Sequence, residues 1–119
     1  MTKENLKLTP IDLKVDGRIL TDSFNVNGIE WYINKTIEEL IELADALIHY
    51  KREKVAPEQV CAEIGDVFIQ IAVLNSIFDH SATQQMINDK LLRIAVRTER
   101  IKTKYTFKTD VGFKPNSGG

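Results

Sequence analysis

The sequence predicts an all-α protein built from a helical hairpin and a third helix. Two observations support this prediction: three segments carry apolar residues at spacings of three and four, and each segment follows a helix-start signal. The 119 residues leave room for a single domain. We divide the chain into an N-terminal arm over 1–27, a helical domain over 28–105 and a C-terminal tail over 106–119, which we expect to be partly disordered.

The arm alternates polar and apolar residues without a helical period, and Pro10, Gly17 and two asparagines interrupt it. We therefore expect an extended segment, with at most short pieces of strand or helix, that packs on the body or on a partner. The first helix is predicted over 28–52, with Asn27 as its cap and Glu30 as the capping-box partner. Its apolar stripe comprises Ile33, Ile37, Leu40, Ala44 and Leu47, which Ile41 and Ile48 widen.

The second helix is predicted to begin at Pro57, after a break at 53–56, and to end near Phe78. Its apolar stripe suits bundle packing and comprises Val60, Ile64, Val67, Ile71, Leu74 and Phe78. After a second break at 79–80, Ser81 and Gln84 form a possible capping box for a third helix that ends near Lys104. Its apolar face comprises Ile87, Leu91, Ile94 and Ile101.

Three such stripes present more apolar surface than one small subunit can cover. We therefore predict self-association that builds four-helix-bundle cores, and both a homodimer and a homotetramer stay open.

The composition excludes several classes of protein. The formal net charge of −1 gives no overall field to attract nucleic acid or an anionic membrane. The first ten residues lack the apolar core of a signal peptide, and no run reaches the roughly 18 apolar residues of a membrane helix. The single cysteine, Cys61, excludes an intrachain disulfide. We therefore expect a cytoplasmic protein that binds neither membrane nor nucleic acid.

Acidic residues recur at helical spacing on the first two helices. Glu39 and Glu42 lie three residues apart on the first helix, and Glu63 and Asp66 repeat that spacing on the second. Each pair shares one side of its helix. In an antiparallel hairpin that turns near residue 54, Glu42 and Asp66 lie equally far from the turn, so all four carboxylates can converge.

Four carboxylates in a half-buried groove repel one another unless cations are present. Mg²⁺ prefers oxygen ligands and keeps coordination positions for water and substrate phosphates. Ions bound there could neutralise a polyphosphate, orient its α-phosphorus and lower the pKa of an attacking water. Solvated helix faces also carry acidic pairs by chance. From the residues alone, a metal site and a solvated acidic face are about equally supported.

The double motif Glu38-Glu39-Leu-Ile-Glu42 and Glu63-Ile-Gly-Asp66 resembles the signature of MazG-like nucleotide pyrophosphohydrolases, within the all-α NTP pyrophosphatase superfamily. The resemblance covers residues 30–100. It implies hydrolysis of an NTP or dNTP at the α-phosphate to NMP and pyrophosphate. By the same resemblance, Glu39, Glu42, Glu63 and Asp66 would bind Mg²⁺, for which Mn²⁺ can substitute, and Glu38 and Glu39 would be catalytic.

The third helix has a basic face at spacings of three and four, comprising Lys90, Arg93, Arg97, Arg100 and Lys104. Cationic side chains suit phosphate, and arginine offers a planar fork for it. We take Lys90, Arg93 and Arg97 as candidate phosphate ligands, although Ile94 and its neighbours replace the polar run that the family often has. Trp31, at the start of the first helix, is a candidate for stacking on the base.

Two alternatives to this function stay open from the sequence. A phosphoribosyl-ATP pyrophosphohydrolase has a similar acidic pattern and chemistry. A non-catalytic α-helical interaction module, whose third helix binds nucleic acid, is disfavoured by the net charge. A di-iron bundle is excluded, because neither acidic motif has the histidine of the Glu-x-x-His pairs that such a centre needs.

Overall fold

The computed structural model describes residues 5–8 and 11–110, with side chains as far as residue 104. Within that part of the chain there are four helices and no strand: α1 (Gly17–Asn27), α2 (Ile29–Lys51), α3 (Pro57–Ile77) and α4 (His80–Asp110). The all-α prediction is confirmed. The chain divides into two compact units, Met1–Phe78 and Asp79–Gly119, which we describe separately.

The second half of the arm, which was predicted to be extended with at most short pieces of strand or helix, is a regular helix of 11 residues. The carboxylate of Asp16 caps it by accepting a hydrogen bond from the Arg18 backbone N–H at 2.9 Å. Phe24 then stacks on Tyr32 of α2, with ring centroids 5.7 Å apart. Tertiary packing of this kind overrides the weak helix propensity of the glycine and asparagines in the segment.

The junction between α1 and α2 differs from the predicted cap. Asn27 is the last residue of α1 and donates through its side-chain amide to the Ser23 carbonyl at 2.9 Å, so it does not cap α2. Gly28 stands at the N-cap with φ of 87° and no side-chain cap, which rules out the predicted capping box with Glu30. A left-handed φ favours glycine, and this residue lets the chain turn from one helix into the next.

The hairpin of α2 and α3 forms the body of the first unit. Its buried residues, as far as the structure describes the chain, are Tyr32, Thr36, Glu39, Gln70 and Val73. The predicted apolar stripe of α2 lies mostly outside this contact: Ile37 and Leu40 are 52% and 46% exposed. The face of α2 that packs on α3 is the one that carries Tyr32, Thr36 and Glu39. The apolar stripe stays largely exposed in the described part of the chain.

The turn between α2 and α3 follows a Schellman motif at residues 52–54. The Lys54 backbone N–H donates to the His49 carbonyl at 2.8 Å, and the Glu53 N–H donates to the Tyr50 carbonyl at 2.9 Å. Glu53 has a φ of 60°, the position that glycine occupies most readily. Pro57 then begins α3 as predicted, with the Gln59 side chain accepting from the Ala56 N–H at 3.0 Å.

Replacing Glu53 with glycine is therefore expected to stabilise the protein. The left-handed conformation costs a non-glycine residue about 1 kcal/mol, so the gain is at most of that order. Urea unfolding of the variant would measure it. Lys54→Gly is the matched control, because its φ is not positive and glycine there is expected to destabilise. Equal effects of the two substitutions would contradict the strain at Glu53.

Helix α3 is long and apolar enough to cross a membrane by length and composition, with a mean hydropathy of 1.6 over its best window. The core helix of a soluble bundle passes the same test. Glu63, Asp66 and the buried Gln70 lie in its middle, where a bilayer would penalise them. Only 11% of this window is buried within the described residues, so packing against α2 covers little of its apolar surface.

The second unit consists of α4 as far as its residues are described. Asp79 caps it through Oδ1, which accepts from the backbone N–H groups of Ser81 and Ala82 at 2.9 and 3.2 Å. The predicted cap at Ser81 was therefore wrong by two residues. The helix continues past the predicted end to Asp110, and the rest of the predicted tail, 111–119, lies outside the described residues.

Candidate metal centre

Four carboxylates converge between the two arms of the hairpin. Glu39 and Glu42 come from α2, and Glu63 and Asp66 come from α3. Each contributes one oxygen to a set whose members all lie within 4.8 Å of one another. We call these four residues the acidic cluster. Glu39 is buried, Glu63 is half-buried, and Glu42 and Asp66 are exposed, so the cluster opens to solvent on one side.

The geometry follows from spacing on both helices. A step of three residues keeps two side chains on one side of a helix and one turn apart. The turn at 52–54 then places α2 and α3 antiparallel, with Glu42 and Asp66 at similar distances from it. These are the same four residues whose convergence was predicted from the sequence. Their convergence is a property of the structure, and their individual roles remain proposals.

Two carboxylate oxygens in the cluster are buried without a hydrogen-bond partner among the described residues: Oε2 of Glu39 and Oε2 of Glu63. A buried acceptor without a donor is costly. Burial raises the pKa of the Glu39 carboxyl, and the charges of Glu42 and Asp66 add to that effect while Lys35 opposes it. Burial likewise raises the pKa of Glu63, again with help from Glu42 and Asp66.

Lys35 provides the only cation that the described residues place against the cluster. Its Nζ lies 3.4 Å from Oε1 of Glu38 and 3.4 Å from Oε1 of Glu39. Hydrogen bonds to Glu38 and then Glu39 raise the pKa of this lysine. Lys35 lies one turn before Glu39 and was not among the residues predicted for the site. One lysine leaves most of the negative charge uncompensated.

A buried polar pair links the two helices one turn beyond the cluster. The Thr36 hydroxyl lies 2.7 Å from the Tyr32 carbonyl and 3.3 Å from the Gln70 side-chain amide. The Thr36 hydroxyl is the donor in both contacts, and the Tyr32 carbonyl and Oε1 of Gln70 are the acceptors, so the single hydroxyl proton is directed mainly at the closer carbonyl. This contact fixes the register of α2 against α3. Periodicity alone gave no signal for it.

Other candidate residues lie outside the cluster. Glu38 is exposed and held beside it by Lys35. The Trp31 ring contacts Tyr32 edge-to-face at 4.9 Å and keeps 44% of its surface exposed. The three candidate phosphate ligands Lys90, Arg93 and Arg97 are exposed residues of α4, in the second unit.

The donor set fits a hard divalent cation. It consists only of carboxylate oxygens, which Mg²⁺ and Ca²⁺ prefer. Opposite ligands of Mg²⁺ stand about 4.2 Å apart, so small side-chain adjustments within the 4.8 Å cluster suffice. A cation would also supply the partner that Oε2 of Glu39 and Glu63 lack, and it would remove the repulsion that adds to the effect of burial on their pKa values.

Fold and site together define a class: an all-α hairpin protein whose facing helices present a carboxylate cluster suited to a divalent cation. Comparison with protein families then identifies the group within that class. Residues 27–102 match the MazG nucleotide pyrophosphohydrolase domain, and the chain belongs to that family. It is therefore a hydrolase acting on phosphoric anhydrides. Neither curated proteins nor solved structures gave a match.

Proposed function

We propose that the protein is a Mg²⁺-dependent nucleoside triphosphate pyrophosphohydrolase that converts an NTP or dNTP to NMP and pyrophosphate. The observation that carries the proposal is the acidic cluster with its two buried, unpartnered oxygens. Such a cluster is unfavourable in a metal-free protein and is explained by cation binding. The family supplies the class of reaction, hydrolysis of a nucleotide at a phosphoric anhydride.

In the proposed reaction, water forms a bond to the α-phosphorus, the bond from that phosphorus to the bridging oxygen breaks, and pyrophosphate leaves. Glu39, Glu42, Glu63 and Asp66 would hold Mg²⁺, which when bound supplies charge neutralisation and activates water. Glu38 is free of the cluster and solvent-facing, so its carboxylate can accept the proton of the attacking water. The ammonium group of Lys35 contacts the carboxylates of both Glu38 and Glu39 and so positions them.

Lys90, Arg93 and Arg97 are proposed phosphate ligands, because they provide exposed cations on one face of α4. Trp31 is proposed to stack on the base, since nearly half of its surface is available. Mn²⁺ is expected to replace Mg²⁺, because it accepts the same oxygen ligands.

Self-association is proposed because the predicted apolar stripe of α2 is exposed in the single chain. Ile37, Leu40 and Ile48 are each about half exposed, and a continuous surface of this kind marks a contact site. A homodimer or homotetramer would bury it. Light scattering that finds only monomers at micromolar concentration would contradict this. We also propose a cytoplasmic location, where nucleotides and Mg²⁺ are both abundant.

The test of the proposed function is pyrophosphate release from a panel of NTPs and dNTPs with and without Mg²⁺. Phosphoribosyl-ATP belongs in the panel as the alternative substrate. We expect release that requires Mg²⁺ and that falls at least about 100-fold in Glu42→Ala, since even residues that only support metal ligands cost 10–100-fold. Asp45→Ala is the matched control: Asp45 is an exposed acid one turn further along α2, outside the cluster.

Loss of activity in Glu42→Ala with retention in Asp45→Ala would support the assignment. Pyrophosphate release that is equal with Mg²⁺ and with a chelator, or equal in the two variants, would contradict it.

A further inference from the structure

A cavity of about 380 Å³ lies between α2 and α3, on the side of the acidic cluster that faces the turn of the hairpin. Glu42 and Glu63 belong both to the cluster and to the wall of this cavity. His49 of α2, Val55 of the connection between the helices and Gln59 of α3 contribute to the same wall. A ligand held at the cluster can therefore extend into this cavity without leaving the hairpin.

His49 is the residue, among the described residues that line the cavity, that can carry a positive charge. Its Nδ1 lies 2.8 Å from the backbone carbonyl oxygen of Asp45. A carbonyl oxygen only accepts, so Nδ1 is the donor in this contact and Nε2 is left to meet a ligand. The ring is 40% exposed. Because the acceptor is a backbone group, the orientation of the ring does not depend on the side chain of Asp45.

A nucleotide bound as proposed above directs its terminal phosphates toward this cavity. Trp31, the proposed base contact, precedes Glu39 by eight residues, and His49 follows Glu42 by seven. At the helical rise, Trp31 lies about 12 Å before the acidic cluster and His49 about 10 Å after it along α2. With the base on the Trp31 side and the α-phosphate at the cluster, the phosphate chain continues on the His49 side.

The charges of the cavity suit a phosphate once the cluster holds its cations. Glu42 and Glu63 are proposed Mg²⁺ ligands, so bound cations balance their charges. The carboxylate of Asp45 lies 3.5 Å from Nδ1 of His49 and is 69% exposed, so water screens it. A protonated His49 ring can donate from Nε2 to a phosphate oxygen, which makes a charge-assisted hydrogen bond.

We propose that this cavity holds the β- and γ-phosphates, and that His49 binds the terminal phosphate and so makes the protein select triphosphates over diphosphates. The inference rests on the proposed function, which puts the α-phosphate at the acidic cluster. A nucleoside diphosphate bound there ends one phosphate short of the ring and gains nothing from His49. In this scheme His49 determines specificity and takes no part in making or breaking bonds.

The first test measures KM for the best triphosphate of the panel, with Mg²⁺, in the wild type and in His49→Ala. We expect KM to rise about 10- to 100-fold with little change in kcat, the usual effect of losing a hydrogen bond to a charged group. The diphosphate of the same nucleoside, used as a competitive inhibitor, is expected to bind both proteins equally well. His49→Gln keeps a donor and is expected to recover part of the loss.

Lys51→Ala is the matched control, because Lys51 is an exposed cation on the same helix that does not line the cavity. We expect KM for the triphosphate to be unchanged in it. Mg²⁺ affinity, measured by calorimetry, is expected to be the same in the wild type and in both alanine variants, since the acidic cluster is intact in all three.

Binding of inorganic pyrophosphate gives a readout that does not require turnover. In the wild type with Mg²⁺, pyrophosphate is expected to shift the imidazole NMR signals of His49, which are assigned by their loss in His49→Ala. Orthophosphate at the same concentration is expected to shift them less, because one phosphate held at the cluster does not reach the ring.

This inference and the proposed function fail in different ways. An active enzyme whose KM for the triphosphate is the same with and without His49, or that loses triphosphate and diphosphate binding equally, would overturn the role of His49 and leave the reaction standing. An effect of Lys51→Ala as large as that of His49→Ala would also overturn it. A protein that releases no pyrophosphate from any nucleotide, but whose His49 signals move with pyrophosphate, would refute the reaction and support the phosphate site.

Discussion

Glu63→Gln is expected to make the metal-free protein more stable while abolishing hydrolysis. Glu63 is half-buried, makes no ion pair among the described residues and shares the acidic cluster with three other carboxylates, so its charge is unfavourable without a cation. An amide of the same shape removes that repulsion and can donate to a neighbouring carboxylate. It also removes a proposed Mg²⁺ ligand, and we expect kcat/KM to fall at least about 100-fold.

Thermal unfolding with a chelator and with excess Mg²⁺ would measure the first effect. We expect the variant to unfold a few degrees above the wild type in the chelator, and to lose most of the stabilisation that Mg²⁺ gives the wild type by binding to the folded state. Glu58→Gln is the matched control, because it makes the same change in the exposed first turn of α3. A wild type that Mg²⁺ does not stabilise, or a less stable Glu63→Gln variant, would contradict the account.

Tyr32→Ala is expected to cause the largest loss of stability in the first unit. Only 3% of Tyr32 is exposed, its ring stacks on Phe24, and its hydroxyl is hydrogen-bonded to Ser23. Truncating a buried aromatic side chain costs about 3–5 kcal/mol. Both contacts hold α1 against α2, so we expect α1 to detach before the hairpin unfolds. Hydrogen exchange of α1 amides and urea unfolding would measure the two effects.

Trp31→Ala is the control for this experiment, because Trp31 is the adjacent aromatic residue and is 44% exposed. We expect a smaller loss of stability and no change in the exchange of α1 amides. Tyr32→Phe separates the ring from the hydroxyl and is expected to cost about 1 kcal/mol, the usual worth of one hydrogen bond. Equal losses in Tyr32→Ala and Trp31→Ala would mean that α1 is not held by Tyr32.

The helices of the hairpin could be predicted because the spacing of apolar residues and the residues that start and end helices agree there. Pro57 marks the start of α3, and the apolar periodicity of both helices extends to within a few residues of their ends. The choice of contact face could not be predicted in the same way. The periodicity identified an apolar stripe through Ile37 and Leu40, whereas the face that packs on α3 carries Thr36 and Glu39. A sequence shows that a face is apolar and does not show which neighbour covers it.

The acidic cluster was predictable for a geometric reason. A three-residue step fixes two carboxylates on one side of each helix, and equal distances from the turn bring the two pairs to one level. The contacts around the cluster depend on side-chain direction and were missed. Lys35 approaches Glu39 from the preceding turn, and Gln70 reaches Thr36 across the hairpin. Helix α1 was missed because Gly17 and Asn25 are weak helix formers, and its packing on Tyr32 is not visible in local sequence.

The most direct test of the central claim is to run the reaction in ¹⁸O-labelled water with Mg²⁺ and identify the labelled product by mass spectrometry. The account predicts one ¹⁸O in the nucleoside monophosphate and none in pyrophosphate, because water attacks the α-phosphorus that the acidic cluster orients. Label in pyrophosphate with an unlabelled monophosphate, or release of orthophosphate in its place, would show attack at another phosphorus and contradict the proposed reaction.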